Sequence, residues 1–171
     1  MYMASIFADV GGVKTLVLVL LAAVISWYLW VLSRREKKEE NEVLLTAESL
    51  AALPDDQLMD AVIKSLLADC EAAGTDPYRR TAVWANPQVN VYSVWVIVKE
   101  LEQTTFSQVA RTPSGAFLPL AIDGLEQLGA PAAAAAVEAA DEAAFAQAVA
   151  TEQPLLRAVE YIRDHADAFV K

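Results

Sequence analysis

Residues Thr15 to Leu32 read TLVLVLLAAVISWYLWVL, an apolar run that no charged side chain interrupts. With Val13 and Lys14 it reaches about 20 residues, enough helix to cross a hydrocarbon core of roughly 30 Å. Trp27, Tyr28 and Trp30 fall near its far end, where an aromatic belt meets the headgroups. The flanks give a direction. Only Lys14 and Asp9 carry charge before the run, whereas Arg34, Arg35, Lys37 and Lys38 follow it. Positive residues stay cytoplasmic. The expectation is a single-pass protein of the inner (plasma) membrane, with its N-terminus outside and its C-terminal domain in the cytoplasm. A cleaved signal peptide fits worse. The start is not basic, and bulky residues and arginines follow the run where small residues would mark a cleavage site.

Three regions follow from this reading. Residues 1–33 hold the membrane helix at about 13–32, residues 34–45 form a charged linker, and residues 46–171 form an acidic domain. The last region is long enough to bury one hydrophobic core without disulfides or metals. The single cysteine, Cys70, cannot form an internal disulfide, which suits a reducing compartment.

The domain reads as helical throughout. Thr46 can cap a short helix that runs to about Leu53. Pro54 opens a second, with Asp55 and Asp56 favourably placed in its first turn. In that helix Met59, Val62, Ile63, Leu66, Leu67 and Cys70 recur at helical spacing, and Gly74 ends it. Cys70 continues the apolar stripe and reads as a core thiol. Residues 75–88 read as a loop, with Asp76-Pro77 and Asn86-Pro87 as turn signals. The next stretch, VNVYSVWVIV, is rich in residues that favour strands. Val91, Val94, Trp95, Val98 and Leu101 nevertheless fall on one helical face, and an isolated strand would have no partner. A central, largely buried helix over Val89–Glu102 is therefore expected. Thr112 to Gly115 is a turn. Pro119 suits the start of a helix bearing Ile122, Leu125 and Leu128, which Gly129 stops. Pro131 starts an alanine-rich helix to about Val149. Pro154 starts the last, with Leu155, Val159, Ile162, Ala166 and Phe169 inward. The fold class is all-α: one transmembrane helix followed by a small helical bundle.

The chemistry-bearing residues point away from catalysis. Metal sites need clustered His, Cys or carboxylates at ligand spacing, and the one His and one Cys are far apart in sequence. His165 reads as a solvated terminal histidine. No glycine-rich phosphate loop or nucleophile elbow is present. No cofactor, no metal and no enzymatic activity are expected. Charge points to a partner instead. The chain carries a net −10. From Asn41 onward its only basic residues are Lys64, Arg79, Arg80, Lys99, Arg111, Arg157, Arg163 and Lys171. Such a surface repels nucleic acid, so direct nucleic-acid binding is not expected, and it attracts a basic protein. Glu138, Asp141 and Glu142 would lie on one face of the alanine-rich helix, and Asp123 and Glu126 on the helix before it. Carboxylates one turn apart are separated by roughly 5–6 Å, comparable with phosphates along a nucleic-acid strand.

The motifs Phe106-Ser107-Gln108, Pro113-Ser114-Gly115, Pro119 and Leu125-Glu126-Gln127-Leu128-Gly129-Ala130 follow one another in a fixed order. From Val94 to Ala140 this order resembles a bacterial helical family that includes the DNA-mimic protein nineteen. Val89-Asn90 matches an upstream Val-Asn of that family, while Thr104-Thr105 replace its usual Asn/Gly-Gly. The resemblance implies an acidic, all-helical protein-binding module. Phe106, Gln108, Ser114, Gly115, Pro119 and Gly129 are then architectural, as an aromatic anchor and as turn groups satisfying backbone ends. The functional expectation is a membrane-anchored cytoplasmic protein-interaction domain, binding through its acidic residues or a groove near Trp84 and Phe106. The alternative is a DNA-mimic regulator that occupies a DNA-binding protein through its acidic helix faces.

Overall fold

The computed structural model describes residues 45–170, so the expected membrane span at 13–32 lies outside them. Among the described residues there is no strand, and no helix is long and apolar enough to cross a membrane. Nine α-helices are present there: α1 Ala47–Ala52, α2 Asp55–Ala73, α3 Pro77–Arg80, α4 Asn86–Leu101, α5 Phe106–Val109, α6 Leu118–Gln127, α7 Pro131–Glu138, α8 Glu142–Glu152 and α9 Pro154–Asp164. Short 3-10 turns occupy Pro113–Phe117 and Ala166–Ala168.

The sequence explains most of the boundaries. Thr46 and Ser49 form a reciprocal cap on α1, each side chain accepting the other's backbone N–H. Gly74 closes α2 in the left-handed conformation, at φ 63°. Proline stands in the first turn of α3, α4, α6, α7 and α9, where its missing N–H costs nothing.

The strand-like stretch is helical, as its apolar spacing predicts, and it forms the axis of the domain. Val91, Val94, Ile97 and Val98 of α4 are fully buried. α4 packs against α6, α9, α2 and the 3-10 turn at Pro113–Phe117. Arg163 of α9 reaches back and donates to the Leu50 and Leu53 carbonyls and to Asp55 Oδ1, the last at 2.6 Å. It thereby satisfies the carbonyl end of α1 and ties it to the start of α2.

Three expectations need correction. Residues 75–88 are not all loop. Asp76 accepts the Arg79 N–H and caps the single turn of α3, and Asn86-Pro87 begins α4 instead of marking a turn. The last helix stops at Asp164, so Ala166 and Phe169 pack from a following 3-10 turn. The alanine-rich segment is a helical hairpin, not one helix to Val149. Ala140 adopts φ 51°, its N–H bonds the Val137 carbonyl, and the Asp141 N–H bonds the Ala136 carbonyl. That is a Schellman stop with alanine where glycine is usual. Asp141 then caps α8 by accepting the Ala144 N–H at 3.0 Å. The reversal lets α7 and α8 cover each other, burying Ala133, Ala134, Val137, Phe145 and Ala148. Glu152, at the end of α8, returns across the hairpin and accepts the Ala132 and Ala133 N–H groups at the start of α7.

A left-handed alanine costs about 1–2 kcal/mol, and glycine removes most of that cost. Ala140→Gly is therefore expected to raise stability by about 1 kcal/mol. A urea titration followed by tryptophan fluorescence would check it.

Candidate functional site

α4 and α6 cross closely because small residues meet there. Ser93 is fully buried, and its hydroxyl donates to the Leu120 carbonyl of α6 at 3.1 Å as well as to Asn90 O of its own helix at 3.2 Å. Gly124 lies opposite, against the Asn90 backbone. This crossing positions one side of a cleft of about 610 Å³ at the N-terminal end of α4. Asn86 and Asn90 line it from α4, Asp123 and Glu126 from α6, and Tyr161 and His165 from α9 and its end.

The wall of this cleft is organised. Asn90 Nδ2 donates to the Tyr161 hydroxyl at 3.1 Å. The His165 ring lies over Tyr161, with centroids 4.1 Å apart. A carbonyl can only accept, so His165 Nδ1, 3.0 Å from Tyr161 O, carries the proton. His165 is thus half-buried and stacked, not freely solvated. Asp123 and Glu126 are exposed, sit one turn apart and join no ion pair among the described residues.

The remaining acidic candidates are not brought to this cleft. Glu138 ends α7, Asp141 is the cap of α8 and Glu142 begins it, so the three do not share a helical face. All three are exposed. Glu142 lines a different recess, of about 420 Å³, with Val98, Leu101 and Glu102 from the C-terminal end of α4. Asp123 and Glu126 on one side and Glu142 on the other thus lie at opposite ends of the central helix.

Trp84 and Phe106 are separated as well. Phe106 lies in the recess with Glu142, edge-on to Phe145 at 5.7 Å. Trp84 lines a smaller pocket with Asp69 and Arg80. There the Asp69 carboxylate accepts from Arg80 Nε at 2.7 Å, Arg80 Nη2 at 3.2 Å and Trp84 Nε1 at 3.0 Å. The network holds the segment after α2 against that helix, a structural task. Trp84 also packs on Tyr92, whose phenol burial, with a smaller contribution from Cys70, pushes up to about 12. Tyr92 is therefore a neutral core group at physiological pH. Cys70 is buried, as its place in the α2 stripe predicts.

The motif residues take backbone and packing positions. Gln108 Oε1 accepts the Thr105 N–H at 3.1 Å and so closes the start of α5. Ser114 donates to Glu100 Oε1 at 3.0 Å, fixing the 3-10 turn to α4. A Cβ on Gly115 would stand 2.7 Å from the Val109 carbonyl oxygen, so only glycine fits beside α5. Pro119 lies in the first turn of α6, and Gly129 ends that element at φ 74°. Phe106 is buried. Sequence reasoning missed Tyr161 and Phe145, and it singled out Asn90 only as part of a family motif, with no place in a site. The signal available for Phe145 was an aromatic at the interior of an alanine run. For the other two only the tertiary packing brings the partners together.

No group of three or more His, Cys, Asp or Glu that could hold a metal ion occurs among the described residues. A family model described as DMP19-like protein matches residues 84–170, half of the chain. No curated protein and no solved structure matches.

Proposed function

The chain belongs to the DMP19-like protein family, and from that premise we propose that its helical domain is a protein-interaction module tethered to the cytoplasmic face of the inner membrane through residues 13–32. Its role is binding, not turnover. The observation that carries the reading is the cleft at the start of α4. Asp123 and Glu126 stand exposed on its rim, beside an aromatic wall that Asn90 holds in place. Two neighbouring carboxylates with no ion-pair partner among the described residues favour a Lys- or Arg-bearing segment. The stacked Tyr161 and His165 offer that segment a flat, pre-ordered surface.

A DNA-binding protein is a specific version of this partner. The spacing of Asp123 and Glu126, one helical turn, favours it because it approaches that of neighbouring phosphates. The test is capture from native lysate by the full chain in lipid nanodiscs, washed with rising salt and then with duplex DNA. The bound partner is expected to be basic and to elute as salt screens the contact. Asp123→Lys with Glu126→Lys should reduce capture about tenfold. Elution by duplex DNA would identify a DNA-binding partner. A partner that the double variant retains undiminished would overturn the acidic-cleft reading.

A further inference from the structure

The recess at the other end of α4 has a different character. One wall is α8, where Glu142, Phe145, Ala146 and Val149 follow at i, i+3, i+4 and i+7. Such a row spans about two helical turns, roughly 10 Å. The facing wall is Leu101 and Glu102 near the end of α4. Phe106 and Phe145 meet edge-on between the walls, and both are nearly inaccessible. The floor is therefore fixed before anything binds. Ala146 is exposed on the α8 wall, and its small side chain leaves the groove open. The volume, about 420 Å³, lies in the ordinary range for a binding site.

We propose that this groove receives a short amphipathic helix of a partner protein, with leucine-like side chains on one face and Lys or Arg at its flanks. The inference deepens the interaction reading above and rests on it, because it names the class of partner. The length of the α8 row suits apolar anchors at i and i+4 of a docked helix. Charge selects among occupants. Glu102 and Glu142 stand at the two lips, and Glu142 has no ion-pair partner among the described residues, whereas Glu102 already holds Lys99 at 3.0 Å. A basic flank is favoured beside Glu142. A second copy of this chain would bring a net −10 to the same carboxylates, and an anionic lipid surface would be repelled in the same way.

The test uses the full chain in phosphatidylcholine nanodiscs and a fluorescein-labelled peptide of about 14 residues, roughly 21 Å of helix. The peptide is built from Leu and Lys with every Leu on one helical face. Two comparators are used: the same peptide with Glu for Lys, and a shuffled Leu/Lys peptide with no apolar face. Anisotropy is read after subtracting empty nanodiscs. The facial Leu/Lys peptide is expected to bind in preference to both comparators. Ala146→Trp, which fills the groove from an exposed position, and Glu142→Lys should each weaken binding about tenfold. An unchanged urea midpoint for Ala146→Trp would assign its loss of binding to the groove and not to unfolding. Equal binding by Ala146→Trp and wild type would overturn the inference, as would equal binding of the shuffled peptide. So would dissociation of a self-associated chain by Ala146→Trp, which would place a second copy in the groove. Partner capture lost in the Asp123→Lys, Glu126→Lys chain with peptide binding indifferent to Ala146→Trp would remove the groove and leave the acidic cleft standing. The reverse pattern would do the opposite.

Discussion

Gly124→Val is expected to lower the stability of the helical domain by about 3 kcal/mol, more than any charge reversal on its surface. The reason lies in the α4–α6 crossing. A Cβ built on Gly124 would stand 2.9 Å from the Asn90 carbonyl oxygen, 3.2 Å from Asn90 Cα and 2.9 Å from Val94 Cγ2. Two of these three neighbours are backbone, so no rotamer change relieves them. α6 would have to withdraw from α4, opening the contact that Ser93 seals with its bond to the Leu120 carbonyl. Gly124→Ala places the same first atom there, but it recovers about 1 kcal/mol of helix propensity and should cost less. Adding Val94→Ala to either variant removes one contact of the three, so the rescue should be partial. A urea titration of the full chain in mild detergent, followed by tryptophan fluorescence, reads the effect as a fall of about 1–2 M in midpoint. A midpoint within experimental error of wild type would mean that the helices do not approach this closely. The cleft wall formed by Asn90 and Tyr161 would then lose its support.

The two helices of this crossing could be read from the sequence, and their close contact through Ser93 and Gly124 could not. The apolar spacing of Val91, Val94 and Val98 is stronger evidence for a helix than their β-branching is for a strand, and α4 is indeed helical and central. Prolines and the closing glycines at 74 and 129 mark boundaries because their backbone limits are local. The motif order from Val94 to Ala140 falls inside the segment that matches the family. The break at Ala140 was hidden because alanine is the best helix former and nothing in a run of alanines signals a stop. Only Asp141, a good N-cap followed by Glu142 in a first turn, carried a local hint. What decides the break is burial of the two small-residue faces against each other, which is a tertiary effect. The same break undoes the expected acidic row Glu138, Asp141 and Glu142. Asp123 and Glu126 were legible as a pair because they share one helix. Their company with Asn86, Tyr161 and His165 depends on three elements meeting, as does that of Phe106 with Phe145.

Phe106→Ala should cost about 3 kcal/mol, at the lower end of the range for phenylalanine truncation. The ring is almost wholly buried and meets Phe145 edge-on at 5.7 Å, a geometry that adds about 0.5–1.5 kcal/mol to the burial itself. The cost stays at the lower end because the ring floors an open groove, so the space left behind is not sealed and the walls can settle. Phe106→Leu keeps most of the volume and should lose less than about 1.5 kcal/mol. The comparison separates two roles for this motif residue. Urea midpoints that follow volume, with Leu between Phe and Ala, identify an anchor holding α5 against α8. A stability that ignores both substitutions would deny that role. Peptide binding supplies the second axis. Phe106→Leu should leave the domain folded but blunt the groove floor, weakening the Leu/Lys peptide by less than Ala146→Trp does. If Phe106→Leu instead removed binding altogether while the domain stayed folded, the aromatic face itself would be the contact. The residue would then belong to recognition as much as to architecture.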